Sequence, residues 1–558
     1  MKHTDQAPNG RNPVRTSPTA VGIVPKPNHI TDGEGEFHLN AATVFIATGD
    51  AHAEASYLAD YLSHAAGFPL PVHETEDASD SIVEMRIDPS DTRRGSEGYR
   101  LTVTPRRTEI VAATPAGLFH GGQTLLQLLP PTVYGASPIE PQDWTVPCVE
   151  IDDSPRFAWR GAMLDVTRHF LSVEFVKKFI DLLALHKMNV LHLHLNDDQG
   201  WRIEIKKYPK LTTIGAYRPE TLVGRAMQDP SDRDFDPCQQ EFDGVPHGGF
   251  YTQDEMRAIV EYARVRHVQI VPEIEMPGHA QAAVAAYPEL GVSDHTEGVT
   301  CIATDVSQVW GIHPTLFNAS EETFAFLQDV LTEVMEIFPS RDIHVGGDEA
   351  VKTQWRESPS IQARMRELGL EDEHALQSYF IGRMDTFLTQ HGRRLIGWDE
   401  ILEGGLAQNA AVMSWRGEAG GVAAAEKGHD VVMADHKHTY FDYYQSEDRS
   451  SEPLAFSNTL TLATVYHYEP IPEALAPEFA HHILGAQAQL WTEYMPDSKQ
   501  VEYMALPRLA ALAEVTWTDA AHKDFTDFGE RLSVHFRRLD ALHVNYRPTH
   551  FDERKDRV

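Results

Sequence analysis

The stretch HVGGDEA, residues 344–350, sets two carboxylates, Asp348 and Glu349, directly behind two glycines and a short apolar lead-in, Ile343 to Val345. Paired acids at a strand end suit proton transfer to and from a sugar oxygen. A glycosidase with its own nucleophile holds two carboxyl groups about 5–5.5 Å apart across the bond if it retains configuration, and roughly 6.5–9.5 Å apart if it inverts. Neighbours in sequence on a strand usually point to opposite faces, so Asp348 and Glu349 are ill-placed to flank one bond. A different division of labour fits them. Glu349 protonates the leaving oxygen, and the nucleophile is the carbonyl oxygen of an N-acetyl group on the sugar itself. Asp348 orients that amide and balances the charge growing on it.

Further polar and aromatic residues recur at the ends of short apolar runs. GAMLDV leads to Asp165 and Arg168, NVLHLHL to His194, Asp197 and Asp198, and VQIVPEI to Glu273, Glu275 and His279. DIHVGG leads to the two acids, RLIGW to Trp398 and Asp399, and AAVMSW to Trp415 and Arg416. DVVMA leads to Tyr440 and Asp442, and ILGAQAQLW to Trp491 and Glu493. One tryptophan there would be packing and one aspartate a helix cap. All of them on one rim describe a site, because aromatic faces stack on pyranose rings and carboxylates bind hydroxyls.

These runs alternate with amphipathic segments such as VEFVKKFIDLLALHK and EETFAFLQDVLTEVMEIF. Eight β units alternating with α units predict an α/β protein with a (β/α)8 TIM barrel, whose site lies at the C-terminal ends of its strands. An open doubly wound sheet would want a glycine-rich phosphate fingerprint after its first strand, and LDVTRHF has none. The barrel is expected over residues 151–520. A small α/β accessory domain is expected over 36–150, with a helix at 51–67 and two strands around PRRT. Residues 1–35, rich in Pro, Asn, Gly and charge, read as a disordered tail, and 521–558 as a C-terminal helical extension.

Lys and Arg total 48 and Asp and Glu 83 of 558 residues, a net charge of −35. That balance argues against nucleic acid and anionic membrane as partners. The three cysteines, Cys148, Cys238 and Cys301, are widely spaced with no CxxC, so neither a disulfide framework nor a structural zinc site is expected. The N-terminal stretch lacks the apolar core of a signal peptide and no run of 18 apolar residues occurs, so a cytoplasmic protein is expected.

The motifs LDVTRHF, HLHLNDDQGWR, PEIEMPGHAQA, HVGGDEA, GWDEI, SWRG, YFDYYQ and QAQLWTEY, in this order, resemble those of glycoside hydrolase family 20, the β-N-acetylhexosaminidases, over about residues 36–520. The resemblance implies an exo-acting retaining glycosidase. It would remove terminal non-reducing β-linked N-acetylglucosamine, or N-acetylgalactosamine, from oligosaccharides or glycoconjugates through an oxazolinium intermediate. It also implies roles. Arg168 binds hydroxyls of the terminal sugar, and Asp197 and His279 form a relay to the acid. Asp348 holds the acetamido group, and Glu349 is acid and then base. Trp398, Trp415 and Trp491 wall the N-acetyl pocket, and Tyr440 hydrogen-bonds the acetamido oxygen. Asp442 and Glu493 bind hydroxyls. No cofactor and no metal are implied, and oligomeric state is not read.

Two other classes compete. His192 and His194 share one face of a strand, as paired metal ligands would, and with His279 and Asp348 they sketch a metal-dependent barrel hydrolase. The aromatic rim has no task in such a site. A sugar-binding protein without turnover is the other alternative, and it would need no general acid.

Overall fold

The computed structural model describes residues 22–75, 79–135, 144–226, 240–294 and 305–549, which form two compact units. Cys238, Cys301 and part of the loop at 220–250 lie outside the described residues, and Cys148 is a buried free thiol.

The first unit contains residues up to Ser154 and Thr526–Leu542. Its seven-stranded sheet runs in the order His29–His38, Thr145–Asp153, Tyr99–Val103, Arg107–Ala112, Ile82–Ile87, Val44–Ala47, Val72–His73. The first three contacts are antiparallel and the last three parallel. Helix Ala51–Ala66 buries Ala51, Ala55, Leu58, Leu62 and Ala65 and stops at Gly67, whose φ of 76° closes the last turn. Helix Pro115–Leu128 starts where Thr114 accepts the amide of Gly117 and Pro115 occupies the first turn.

Two expected boundaries move. Residues 29–35 belong to strand His29–His38, paired with Thr145–Asp153, and not to a tail ending at 35. The helix Phe525–Ala541 is not a separate extension. Arg531 donates to the carbonyl of Ile23 at 2.8 Å, and Arg538 to that of Gln127 at 2.6 Å, so the chain returns to its first unit.

The second unit is a closed barrel of eight parallel strands. They are β1 (Trp159–Asp165), β2 (Val190–His194), β3 (Gln269–Glu273), β4 (Asp342–His344), β5 (Arg394–Trp398), β6 (Ala411–Ser414), β7 (Val431–Met433) and β8 (Ile483–Leu490). Every one falls on a run read from the sequence. Helices precede or follow them with ordinary caps. Ser172 caps Val173–Leu185, and Thr252 and Glu255 form a reciprocal capping box at the start of Gln253–Arg264.

Register sets Asp165, His194, Glu273 and His344 side by side at the C-terminal ends of β1 to β4. Further round the barrel, Trp398 of β5 lies beside Met413 of the neighbouring β6. Trp159, Val190, Val271, Ile396, Trp398 and Met413 fill the interior, so the barrel is plugged beneath its rim. His192, Glu273, His344 and Gln487 are also buried inside it. Polar groups there must pair. His192 bonds Gln487 at 3.0 Å, and Glu273 takes His194 at 2.5 Å, His344 at 2.9 Å and the Trp398 indole at 2.8 Å.

Candidate active site

Beyond β4 the backbone turns sharply. Gly346 (φ 65°), Gly347 (φ 98°) and Glu349 (φ 47°) all adopt positive φ. A Cβ at Gly346 would sit 1.8 Å from a carboxyl oxygen of Glu275, so only glycine admits that acid. Glu349 and His279 (φ 48°) are non-glycine residues in the left-handed region, a conformation that costs of order 1–3 kcal/mol and concentrates at functional sites. They meet each other. His279 Nε2 lies 3.5 Å from Glu349 Oε2 and 3.8 Å from Asp348 Oδ2. The two acids of HVGGDEA thus lie past the strand and converge on one imidazole.

The far side of that imidazole is anchored. His279 Nδ1 lies 3.2 Å from Asp197 and 3.1 Å from Asp198. Burial alone would lower the imidazole pKa, but Asp197, then Asp198 and Glu349, hold it well above its usual range. Asp197 also takes His194 at 2.8 Å and Arg168 at 2.7 Å. Burial would raise its pKa, yet Arg168 and His279 keep it well below the ordinary carboxylate range. Arg168 in turn bonds Gln199 at 2.8 Å and pairs with Asp165 at 3.3 Å and Glu493 at 3.8 Å. Asp165 receives both amide and hydroxyl of Thr492, which ties the ends of β1 and β8 together around Arg168.

These residues open into a cavity of about 590 Å³, within the range of small-molecule sites. Of the eleven site residues expected from the sequence, Arg168, His279, Asp348, Glu349, Trp398, Trp415, Tyr440, Asp442, Trp491 and Glu493 line it. Asp197 lies one layer beneath, against His279. Trp398 and Trp491 pack with centroids 5.9 Å apart, and Trp415 stacks on Tyr440 at 6.0 Å with 23° between planes. The Trp491 indole acts on the Tyr440 hydroxyl. Asp442 Oδ1 and Glu493 Oε2 are buried acceptors without a protein donor among the described residues. A ligand rich in hydroxyls would supply those donors. Burial pushes Asp442 well above the carboxylate range, and Glu493 up to about 7.

Sequence reasoning missed the outer wall. Arg225, Trp310 and Tyr494 come from loops, and Tyr443 and Phe456 from a pair of short strands, and their spacing carries no periodic signal. It also missed Glu400, which accepts the Trp415 indole at 3.0 Å. The metal-ligand reading of His192 and His194 fares differently. Potential ligand atoms do cluster, as in His192–Glu273–His344 and His279–Asp348–Glu349. His192 and His194 turn to Glu273 inside the barrel, not to the cavity.

Residues 157–520 match the sequence profile of the glycosyl hydrolase family 20 catalytic domain, and residues 20–154 that of the family's domain 2. The chain belongs to glycosyl hydrolase family 20. A β-hexosaminidase of Porphyromonas gingivalis is 43% identical over 94% of this chain, which spans 64% of that protein's length. A β-N-acetylhexosaminidase of Cellulomonas fimi is 33% identical, with 92% of this chain and 93% of that protein aligned. Among solved structures, the family 20 exo-β-N-acetylglucosaminidase of Vibrio harveyi in complex with N-acetylglucosamine superposes with a TM-score of 0.82 at 33% identity. That superposition covers 96% of this chain and 81% of the Vibrio chain. In family 20 terms, the first unit matches domain 2 and the barrel is the catalytic domain.

Proposed function

We propose that this family 20 chain is an exo-acting β-N-acetylhexosaminidase that retains configuration by substrate-assisted catalysis. The observation that carries the reading is the convergence of Asp348 and Glu349 on His279 at the floor of a cavity walled by Trp398, Trp415 and Trp491. Two acids meeting on one imidazole are ill-placed to flank one bond as acid and nucleophile, and the aromatic walls suit an N-acetyl group and a sugar face. Arg168, Asp442 and Glu493 hold hydroxyls of the terminal sugar. Asp348 and the Tyr440 hydroxyl fix the acetamido group, whose carbonyl oxygen attacks C1. Glu349 gives its proton to the departing oxygen, and His279, backed by Asp197, orients that acid. Glu349 then takes a proton from the water that opens the oxazolinium ring, which restores the acid and the β-configured sugar.

The test is hydrolysis of aryl β-glycosides with and without the acetamido group, combined with two variants. The N-acetylglucosaminide turns over and the plain glucoside does not, because it lacks the internal nucleophile. Glu349→Gln loses far more rate on a natural disaccharide than on an activated aryl substrate. Asp348→Asn loses roughly 10²–10³ in kcat on both. Comparable rates on glucoside and N-acetylglucosaminide would sink the reading. Binding without turnover across the whole panel would make the chain a sugar-binding protein, and loss of activity to a strong chelator would restore metal chemistry. The cytoplasmic location belongs to the same proposal. Cell fractionation tests it, and recovery of the native protein from medium without lysis would contradict it.

A further inference from the structure

Glu275 is fully buried behind Asp348 and makes no ion pair among the described residues. Its main chain is held from two sides by one side chain. Asn196 accepts the Glu275 amide at 2.9 Å and donates to the Glu275 carbonyl at 3.2 Å. Its carboxyl occupies the space left by Gly346, where a Cβ would clash, and Oε1 accepts the Gly347 amide at 3.0 Å. The other oxygen, Oε2, is buried with no donor among the described residues, and so is Oδ1 of Asp348. The two carboxyl groups act directly on each other. Two carboxylates have only acceptors between them. A hydrogen bond between them needs a proton on one of the two.

The surroundings decide which one. Asp348 reaches the cavity and lies 3.8 Å from the imidazole of His279. Glu275 has Asp348 on one side and Glu273 on the other, with His279 acting more weakly. Glu349 and Glu400 add negative charge near Asp348, and His194 lies near Glu273 and Glu275. Burial, then Asp348, then Glu273 drive the Glu275 carboxyl well above its usual range.

We infer that Glu275 is a positioning residue. It carries a proton on Oε2, donates it to Oδ1 of Asp348, and so fixes the plane of the Asp348 carboxylate with its charge left on Oδ2. The inference rests on the proposed role of Asp348 toward the acetamido group. It adds the device that holds Asp348 still and charged in a pocket where burial disfavours both. A neutral carboxylic acid acts here as a donor, and the glycine pair makes room for it.

Glutamine has the shape and hydrogen-bonding pattern of that neutral acid. In Glu275→Gln, the amide oxygen takes the Gly347 N–H and the amide nitrogen donates to Asp348. Methionine has similar length and no donor. Glu275→Gln is expected to stay within about threefold of the parent in kcat/KM and in affinity for a thiazoline mimic of the cyclic intermediate. Glu275→Met is expected to lose about 10²-fold in both, equally on activated aryl and natural disaccharide substrates, since Glu349 is untouched. At neutral pH the infrared difference spectrum of parent minus Glu275→Gln should contain a carboxylic-acid C=O stretch that shifts in D₂O.

A carboxylate band in its place overturns the inference. A loss in folded Glu275→Gln as large as in Glu275→Met also overturns it, and so does full activity in both variants. If Glu275→Met fails to fold, the glutamine variant and the infrared band decide. The band reads the proton directly, so it stands even if the glycoside panel removes the acetamido role of Asp348.

Discussion

On the Arg168 side of the cavity floor, buried acids alternate with cations; on the Glu275 side, they face one another. Asp165, Asp197 and Glu273 lie among Arg168, His279 and His194, and each of the three is held below the ordinary carboxylate range although burial opposes it. Glu275, Asp348 and Glu400 lie on the other side and are all raised: Glu275 and Glu400 by burial first and neighbouring acids next, and Asp348 by burial, against His279. The difference is one of what balances the desolvation of a carboxylate. A fixed cation does it at every working pH and makes a rigid frame. A proton does it only until the solution takes the proton away. Rigidity is needed where Arg168 and His279 must stay in place, and protons are needed where the chemistry moves them.

The largest effect should come from removing the cation of the first side. Arg168→Met leaves Asp165, Asp197 and Glu493 without the guanidinium that lies 3.3, 2.7 and 3.8 Å away. Breaking a buried pair from one side typically costs about 3–5 kcal/mol, because the remaining charge stays desolvated. Urea unfolding at pH 7 measures it through the midpoint at unchanged slope. A loss below roughly 1 kcal/mol would mean that the three acids are not held by this cation, and the comparison would fail on its firmer side.

How much of this contrast is visible before folding differs between its halves. The eight strands were legible because apolar runs such as VLHLH and RLIGW are short, bounded by polar stretches, and separated by amphipathic helices. The rim residues were legible because a barrel fixes which end of a strand faces the site. The strand HITDGEGEFH was not, since its residues are almost all exposed and its place is set by pairing with Thr145–Asp153, not by an apolar pattern. Arg225 and Tyr494 were not, because loops carry no period. The proton on Glu275 was beyond reach for another reason. PEIEMPGH places Glu275 near the rim, but only the folded chain puts it behind Asp348 and outside every ion pair among the described residues.

A middle-sized effect sharpens the comparison at the point where the two sides meet. Glu493 touches Arg168 yet is pushed up to about 7, because burial outweighs the guanidinium and Asp165 opposes it further. Below that pH it is a neutral acid, and above it a carboxylate that accepts sugar hydroxyls more strongly. The inhibition constant of N-acetylglucosamine as product should therefore fall by about fivefold between pH 6 and pH 8 in the parent. In Glu493→Gln the constant should be flat across the same window. A parallel fall in both would assign the titration to another group, with Asp442 the first to examine, since it is also raised well above the carboxylate range and Glu493 is its nearest acid influence.

The smallest effect isolates the proton-held side from the chemistry. Glu400 is buried, bonds the Trp415 indole at 3.0 Å, and is raised from 4.5 to about 8 by burial and then by Asp348. A carboxyl whose folded pKa lies above its unfolded one binds its proton more tightly in the fold. Its contribution to stability is therefore complete below pH 4.5 and is lost as pH rises toward 8, at a slope of at most about 1.4 kcal/mol per pH unit. Glu400→Gln keeps an acceptor for Trp415 and has no proton to lose. Thermal unfolding of parent and variant at pH 5.5 and at pH 8.5 separates the two: the parent's Tm should drop more on alkalinisation, and the variant's less. Arg416 lies 3.6 Å from Glu400 and would oppose the shift if it bound more closely in solution. In that case both proteins would drop equally, and Glu400 would belong with the acids that a cation holds.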